Sequence, residues 1–407
     1  MEIVKIAWRN VWRNKARSLV ILVSVCIGMV GGIFATAAMI GMMDQRVDNA
    51  IETEISHIQL HNPKFIDNQE QEYYISNTDD VVNKIAQSEY VSGVSRRLKI
   101  TAMISSAETA TGVVINGVIP SEEKKVSDLH TRIIKGNYFT GNKSNEIVIS
   151  QRMAEKLKLD IKSKLVLTFQ DANGDIVSDS YKICGIYNTK NQMYDEMEVF
   201  VKMDHLNKIC GYDENVAQEI AVLLKNNEQL TEAATEIKAL VGNNISVRKW
   251  KEISPDLGMM TDMMAQYSGY ILLIILMALA FGIINTMLMA ILERKKELGM
   301  MMAIGMNKAK IREMIVWETV FLTFTGTIMG VIIAQVLVSY FGRTGIDLTM
   351  YAEGFESIGY DAVLYPALNL GFYVQIVVLT VFTAFFSAIF PMRRAIKMNP
   401  AEVLRTE

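Results

Sequence analysis

The sequence lacks the motifs of common nucleotide-hydrolysing and peptide-cleaving sites. It contains no GxxxxGKS or GxxxxGKT, the loop with which many ATPases bind phosphate, and neither GxSxG nor HExxH. We therefore expect no catalytic residue and no cofactor in this chain, which is not expected to be an enzyme. The net charge of −3 gives no indication of nucleic-acid binding.

Cysteine and histidine are also scarce. Cys26 lies in an apolar run, and Cys184 and Cys210 lie in a mixed polar region, where their pairing stays open. His57 and His61 share one face if their strand is regular, but two imidazoles without a third ligand do not predict a metal site.

Ionisable side chains are almost absent from four long apolar runs. Each run is long enough to cross a hydrocarbon core of ~30 Å. A proton-coupled transporter would carry carboxylates or histidines there, so we expect the energy to come from elsewhere. Glu318 is the exception, and we expect it to cap or pair with the preceding loop. The first run is favoured as an uncleaved span over a signal peptide. The predicted spans are 18–43, 268–292, 314–340 and 372–392.

Charge in the connecting segments predicts the topology. Residues 293–313 and the tail, 393–407, are basic, whereas the loop at 341–371 has one basic and four acidic residues. By the positive-inside rule the basic segments are cytoplasmic and the loop at 341–371 is external. The chain is thus expected to have both termini in the cytoplasm. A helix is also predicted in the tail from Asn399, Pro400 and Glu402.

Residues 44–267 are expected to form a large extracytoplasmic α+β domain between the first and second spans. The chain is 50% hydrophobic and 21% charged, which suits a membrane part plus such a domain. Alternating segments predict strands, Asp171 to Gly174 predicts a hairpin turn, and residues 44–55 are expected to continue the first helix as a stalk. The predicted strands are 56–61, 96–104, 111–118, 146–150, 164–169, 181–187 and 197–202, and the predicted helices are 79–88, 150–158 and 228–241.

Residues 1–17 are expected to form an amphipathic helix in the cytoplasmic membrane interface. Basic residues recur every fourth position beside two tryptophans, which is typical of such helices. The alternative is a plain basic terminus that only sets topology. The candidate interface residues are Trp8, Arg9, Trp12 and Arg13.

Residues 293–313 are expected to form a helical elbow between the second and third spans. Residues 294–304 predict a short helix that Gly305 ends in a left-handed conformation, and Asn307 is placed to cap the next helix. Such an elbow suits transmission of a push from a partner into the membrane. A solvated turn that only sets topology is the alternative.

Methionine is abundant, with 26 residues. Two groups fall at the outer edges of the first and second spans. Because methionine is unbranched and deformable, they suit a cleft for acyl chains, and ordinary stalk packing is the alternative. The cleft candidates are Met39, Met42, Met43, Met259, Met260, Met263 and Met264.

Three segments together resemble ABC transporter permeases of the MacB/FtsX type. The elbow reads E-R-x-x-E-L-G-x-x-x-A-x-G, the N-terminus reads AWRNVWRNKARS, and PMRRAIKMNPAEVLR begins at Pro391. The order of one span, a large external domain and three spans is also similar. The resemblance implies that the elbow is a coupling helix on a separate ATPase dimer. Its matching residues are Glu293, Arg294, Glu297, Leu298, Gly299, Ala303 and Gly305.

Within this family the chain looks most like the lipoprotein-releasing permeases, because its length fits and HIQLHNPKF at 57–65 is similar to theirs. The resemblance implies an inner-membrane complex with a second permease subunit, identical or paralogous, and ATP and Mg bound by the ATPase. It also implies mechanotransmission that extracts lipoproteins, with a periplasmic carrier or adaptor and membrane lipids as further partners. Efflux of macrolides or peptides and regulation of a cell-wall hydrolase stay open as alternatives.

Overall fold

The computed structural model describes residues 2–13, 15–68, 70–140, 143–212, 215–357 and 359–397. Its contacts divide the chain into two units. The helical unit comprises Met1–Met43, Asp262–Asp347 and Val363–Glu407, and the inserted domain comprises Asp44–Thr261 and Leu348–Ala362. Each unit has a hydrophobic core of its own.

The chain begins with helices α1 (Glu2–Arg13) and α2 (Lys15–Asn49), and a π-helical segment, Ala50–Ile55, continues α2. The first helix was expected to reach residue 17 but ends at Arg13. The Ser18 hydroxyl donates to the Val11 carbonyl, which is one of the carbonyls left without a helical partner at the end of α1. Arg17 therefore belongs to α2, and the basic residues that recur every fourth position along the first helix end at Arg13.

Residues 44–261 of the inserted domain contain twelve strands and eight short α-helices in the described part of the chain. The strands are β1 (Ile58–His61), β2 (Ile75–Ser76), β3 (Val91–Ser105), β4 (Ala110–Val118), β5 (Ile133–Gly136), β6 (Glu146–Ser150), β7 (Lys164–Gln170), β8 (Ile176–Tyr187), β9 (Glu198–Lys202), β10 (Val216–Ala217), β11 (Glu219–Leu224) and β12 (Ser246–Lys249). The helices are α3 (Phe65–Asn68), α4 (Thr78–Ala86), α5 (Pro120–Glu123), α6 (Gln151–Leu157), α7 (Gln192–Met197), α8 (Met203–Cys210), α9 (Leu230–Val241) and α10 (Trp250–Ile253).

Ten of these strands form one sheet in the order β12-β1-β11-β3-β4-β9-β6-β8-β5, with β7 paired to both β3 and β8. The pairs β3–β4, β4–β9, β9–β6, β6–β8, β8–β7 and β7–β3 close a ring of six strands. The seven predicted strands and three predicted helices all occur, with shifted ends. The predicted hairpin turn is also present, since the Asp171 amide donates to the Asp175 carbonyl between β7 and β8 at 2.9 Å.

Three helices of the helical unit follow the inserted domain. They are α11 (Pro255–Glu293), α12 (Lys295–Ala303) and α13 (Lys308–Thr344). Four further elements complete the described chain: β13 (Ile346–Asp347), α14 (Ala352–Ser357), β14 (Val363–Leu364) and α15 (Leu370–Ile396). The tail helix expected at Asn399, Pro400 and Glu402 lies outside the described residues.

Among the described residues, four helices are long and apolar enough to cross a membrane. The predicted spans lie within them, and the α+β domain lies between the first and second, so the predicted fold class is confirmed. The helices are Ser18–Ile55, Pro255–Glu293, Lys308–Thr344 and Leu370–Ile396.

The segment between α13 and α15 does more than connect two spans. Residues 348–362 belong to the inserted domain. The Asn49 amide donates to Asp361 at 2.7 Å, and the Lys190 ammonium lies 3.2 Å from the same carboxylate. The sequence predicted only an external loop here, because nothing local indicates what Asp361 will meet.

Small residues let α2 approach α13 closely. A Cβ added at Gly330 would lie 2.6 Å from Cβ of Met29, and one added at Gly326 would lie 3.0 Å from Cβ of Val25. On α15 the small residues Thr380, Ala384 and Ala388 are fully buried. Glycine ridges of this kind permit the close helix contacts that stabilise membrane bundles.

A buried ionic cluster joins two neighbouring strands of the inserted domain. Arg97 of β3 lies opposite Glu219 of β11, and its guanidinium contacts that carboxylate at 2.8 Å and Glu123 at 2.6 Å. Burial alone would raise the pKa of Glu219, but Lys99 and Arg97 outweigh it and lower that pKa to about 2. Glu219 is therefore ionised at neutral pH.

We expect Arg97→Ala to destabilise the inserted domain by about 3–5 kcal/mol, because it leaves Glu123 buried without its counter-ion and Glu219 with Lys99 alone. Hydrogen exchange of β3 and β11 in the full chain measures this loss. Arg152→Ala is the matched control, since Arg152 and its ion-pair partner Glu196 are 42% and 48% exposed, and it should cost about 1 kcal/mol or less. Equal exchange in the two variants would contradict a structural role for the cluster.

Candidate functional site

The turn between α12 and α13 begins with a capped helix end. Beyond Ala303, Gly305 adopts φ +97°, in the left-handed region. The Met306 amide donates to the Met301 carbonyl at 3.0 Å, and the Gly305 amide donates to Met302 at 3.1 Å. These two hydrogen bonds form a Schellman motif, so the predicted glycine cap is confirmed.

The start of α13 is capped as well. The Asn307 side chain accepts a hydrogen bond from the Ala309 amide at 3.0 Å, as the sequence predicted. Only a few residues separate the two caps, and both hold the backbone in one conformation. The elbow, residues 293–313, is therefore a fixed turn between helices.

Four charged side chains hold the elbow against its neighbours. The Arg294 guanidinium contacts both carboxylate oxygens of Glu318 on α13, at 3.0 and 3.2 Å, and contacts Glu297 of α12 at 3.0 Å. Glu297 also forms an ion pair with Arg13 of α1. The expectation that Glu318 pairs with the loop is confirmed. This network, which we call the elbow network, thus ties three helices together.

The inner and outer parts of the elbow network differ in exposure. The side chains of Arg294 and Glu318 are 12% and 9% exposed, whereas those of Glu297 and Arg13 are 46% and 56% exposed. Exposed ion pairs contribute about 1 kcal/mol at most, so the inner pair dominates. The hydrogen bond from Arg13, with Arg294, lowers the pKa of Glu297 below its usual 4.5. The outer bridge is therefore complete at neutral pH and is lost only as the pH falls through that lowered value.

Helix α1 is seated on α13 through one apolar face. Ala7 and Val11 are buried, and the Trp8 ring meets Phe321 edge-on at 5.3 Å between centroids. Trp8 and Trp12 are nevertheless 42% and 46% exposed, side by side at 5.9 Å. The predicted interface residue Arg9 is also exposed. An exposed tryptophan pair beside a basic residue suits a membrane surface.

Helix α12 has a buried side and an outward side. Leu298 and Gly299 are buried against the bundle. Met300 and Ile304 are 53% and 81% exposed. Because residues four apart lie on one face of a helix, these two apolar side chains form a single outward ridge. We call it the elbow ridge.

The predicted coupling residues therefore divide into four groups. Arg294 and Glu297 join the elbow network, Leu298 and Gly299 pack inward, and Gly305 supplies the turn. Glu293, at the end of α11, and Ala303, at the end of α12, are exposed. Sequence reasoning included Arg13 only as an interface residue and did not include Ile304.

Helices α2 and α11 pack antiparallel through glycines. A Cβ added at Gly28 would lie 2.7 Å from Cδ2 of Leu279, and one added at Gly32 would lie 2.8 Å from Cδ1 of Ile275. Moving four residues forward along α2, from Gly28 to Gly32, thus corresponds to moving four residues backward along α11, from Leu279 to Ile275. Continuing this register brings Met43 level with Met264.

Five of the methionines predicted to form a cleft belong to the helical unit, Met39, Met42 and Met43 on α2 and Met263 and Met264 on α11. Met43 is buried at 4% exposure, whereas Met263 is 43% exposed. Met39, Met42 and Met264 are half-buried, and Met259 and Met260, in the first turns of α11, are exposed. Met43 of α2 is therefore turned inward and Met263 of α11 outward, whereas Met39, Met42 and Met264 are intermediate.

An apolar groove of about 360 Å³ lies between α2 and α11. Ser24 and Gly28 line one wall, and Ala278 and Gly282 line the other. A Cβ at Gly282 would meet no heavy atom within 4 Å, so the small residues of the second span face this opening. Gly28 is about 16 Å along α2 from the first cleft methionine. The groove therefore lies nearer the elbow than the predicted cleft.

Two family models match the chain. The MacB-like periplasmic core domain matches residues 18–240, more than half of the sequence, and the FtsX-like permease C-terminal domain matches residues 269–400. The chain belongs to the MacB/FtsX family of ABC transporter permeases. The resemblance stated from the sequence is thus confirmed, and the permease is a protein of the inner membrane.

Relatives with three different names align with nearly the whole permease. The lipoprotein-releasing system transmembrane protein LolC of Neisseria meningitidis is 21% identical, over 97% of this chain and 96% of its own. The uncharacterized ABC transporter permease YknZ of Bacillus subtilis is 23% identical, over 100% and 99%. The macrolide export ATP-binding/permease protein MacB of Campylobacter jejuni is 23% identical over 100% of this chain and 62% of its own.

We expect Glu318→Gln in this permease to loosen α12. The change removes the counter-ion of a nearly buried guanidinium, at a local cost of about 2 kcal/mol, between the exposed and buried limits. Hydrogen exchange of the peptide covering Lys295–Ala303 should then be faster. Glu313→Gln, on the same helix at an exposed position, is the control and should leave that peptide unchanged. Identical exchange in the two variants would contradict the elbow network.

Proposed function

We propose that this permease extracts lipoproteins from the inner membrane for transfer towards the outer membrane. ATP hydrolysis takes place in a separate ABC ATPase dimer, which binds the ATP and Mg, and a second permease subunit completes the complex. The proposed coupling step depends on the two sides of α12. One side is fixed to α1 and α13, and the other bears the elbow ridge. Relatives named for lipoprotein release, aligned over nearly their whole length, support the substrate class.

In the proposed orientation both termini and the elbow lie in the cytoplasm, and the inserted domain lies in the periplasm. The described end of α15 and the start of α13 are basic, in agreement with the positive-inside rule. The exposed tryptophans of α1 suit the membrane surface at the same end. The ATPase would thus approach from the side on which the elbow ridge projects.

The elbow ridge is the proposed contact for the ATPase. Ile304 and Met300 are 81% and 53% exposed on the same face of α12, and together they form an apolar surface that a partner would cover. Arg294 and Glu318 hold the helix beneath it. A push on the elbow ridge would therefore move α12 together with α1 and α13 rather than bend a loop.

We expect Ile304→Glu to lower the amount of ABC ATPase that co-purifies with the tagged chain by roughly tenfold or more, as for a central contact residue. Mass spectrometry identifies that ATPase in the wild-type preparation. Leu370→Glu is the control, because Leu370 is 82% exposed at the opposite end of a span. An undiminished ATPase yield with Ile304→Glu would rule out docking through the elbow ridge.

The proposed substrate cleft is the methionine level of α2 and α11. Met263 presents a deformable apolar side chain at 43% exposure, and Met39 and Met42 are half-exposed on α2. Acyl chains of a lipoprotein would pack against these side chains and could slide between the two helices. Transfer to a periplasmic carrier or adaptor would follow from the inserted domain.

Efflux of macrolides or peptides is the second candidate. The relative named as a macrolide exporter aligns with all of this chain at 23% identity, a value similar to that of LolC. An exporter that drives its substrate through a periplasmic duct would not use the methionine level. The two candidates therefore differ in what binds there.

We expect Met263→Asn to reduce the triacylated lipoprotein that co-purifies with the complex by roughly fivefold, because it removes about 1 kcal/mol of apolar contact. Quantitative mass spectrometry of the purified complex measures this amount. Met289→Asn is the matched control, on the same helix and 63% exposed, and should change nothing. Normal lipoprotein recovery with Met263→Asn would remove the methionine cleft from the mechanism, and drug sensitivity on deletion would then favour efflux.

A further inference from the structure

A groove of about 650 Å³ opens at the end of the helical unit where α11 and α15 finish. The start of α12 forms part of its wall. Four of its six lining residues are cationic, and the other two are large and apolar. The six are Leu292, Lys295, Phe390, Arg393, Arg394 and Lys397.

The four cations of this groove have no acidic partner among the residues that the structure places. No carboxylate of the described chain lies within ion-pair distance of them, and none lines the groove. Arg294 and Arg13, at the same end of the unit, are both paired with glutamates. Like charges that converge without a counter-ion repel one another, so the groove favours an anion.

The lining is ordered by depth. Phe390 precedes Arg393 on α15 by three residues and therefore lies about 4.5 Å nearer the membrane along that helix. Leu292 lies in the last turn of the spanning helix α11, and Lys295 follows the break at Arg294. Leu292 and Phe390 are 52% and 54% exposed. The groove therefore has an apolar inner part and a cationic outer part at the boundary between hydrocarbon and water.

We propose that this groove binds an anionic phospholipid, with the phosphate held by Lys295, Arg393, Arg394 and Lys397 and an acyl chain against Leu292 and Phe390. A phosphodiester matches the planar fork of two arginines, and a diacyl tail matches the apolar inner part. Basic pockets between spanning helices at a membrane surface select anionic headgroups in this way. Because Lys295 is the first residue of α12, the bound headgroup would bridge the elbow and α15.

Native mass spectrometry of the full-length chain in detergent tests the proposal. Phosphatidylglycerol and phosphatidylcholine with the same acyl chains are titrated separately. The wild-type chain should bind phosphatidylglycerol at least roughly tenfold more tightly than phosphatidylcholine, because the four cations face one phosphate charge. The triple variant Arg393→Gln, Arg394→Gln, Lys397→Gln should lose most of this difference while its phosphatidylcholine binding stays the same, which also reports that the variant is folded.

The control variant combines Lys308→Gln, Lys310→Gln and Arg312→Gln. It removes the same charge from exposed positions at the start of α13, which do not line the groove, and should keep the wild-type preference. Lys295→Gln alone, on the opposite wall, should weaken phosphatidylglycerol binding roughly fivefold. Equal loss in the control triple would mean diffuse charge attraction and would overturn the proposal.

A final measurement separates a lipid from a free phosphate. Inorganic phosphate and glycerol phosphate are added at millimolar concentration to the chain with bound phosphatidylglycerol. Persistence of the lipid supports the assignment, because the acyl contacts with Leu292 and Phe390 hold it. Displacement of the lipid by inorganic phosphate at that concentration would assign the groove to a soluble anion and overturn the lipid proposal.

Discussion

The arrangement of the elbow depends on the ion pair between Arg294 and Glu318. Both side chains are almost removed from water, and a guanidinium in that setting requires a carboxylate. Arg294 stands in the single-residue break between α11 and α12, and Glu318 stands on α13, so satisfying the pair sets the direction in which α12 leaves the membrane. Leu298, on the inner side of α12, is buried against the bundle. The ion pair between Arg13 and Glu297 attaches α1 to the exposed side of α12. The elbow is thus a part of the bundle and not a flexible connection.

The helical unit combines two kinds of helix contact. Gly326 and Gly330 bring α13 against α2 at backbone distance, and the small residues of α15 are buried in the same core. Helix α11 instead meets α2 through Gly28 and Gly32 and turns its own small residues towards an open groove. The two contacts differ in kind, because a Cβ added at Gly326 or Gly330 would meet Cβ and backbone atoms of α2, whereas one added at Gly28 or Gly32 would meet only side-chain atoms of α11.

Local signals predicted the spans, seven of the ten strands of the large sheet and both helix caps, because each depends on residues adjacent in sequence. Gly305 and Asn307 are examples. The bond between Arg13 and Glu297 joins residues 284 positions apart, and no periodicity indicates it. Strand β11 was not predicted, since both of its faces are largely buried and its sequence does not alternate. The closure of the six-strand ring through β7 is likewise a pairing of distant segments, which a single sequence does not specify.

The basic residues at the elbow end of the helical unit all count equally in the positive-inside rule, but their contacts in the structure differ. Arg294 and Arg13 are matched by carboxylates and act within the chain. Arg393, Arg394 and Lys397 converge with Lys295 on one groove without such a match in the described residues. The positive-inside rule requires only that positive charge be present on the cytoplasmic side of the membrane, and scattered cations would meet that requirement. The four cations instead converge on one groove that also contains two exposed apolar side chains, which that rule does not require. A ligand with an anionic head and an apolar tail accounts for both the cations and the apolar side chains.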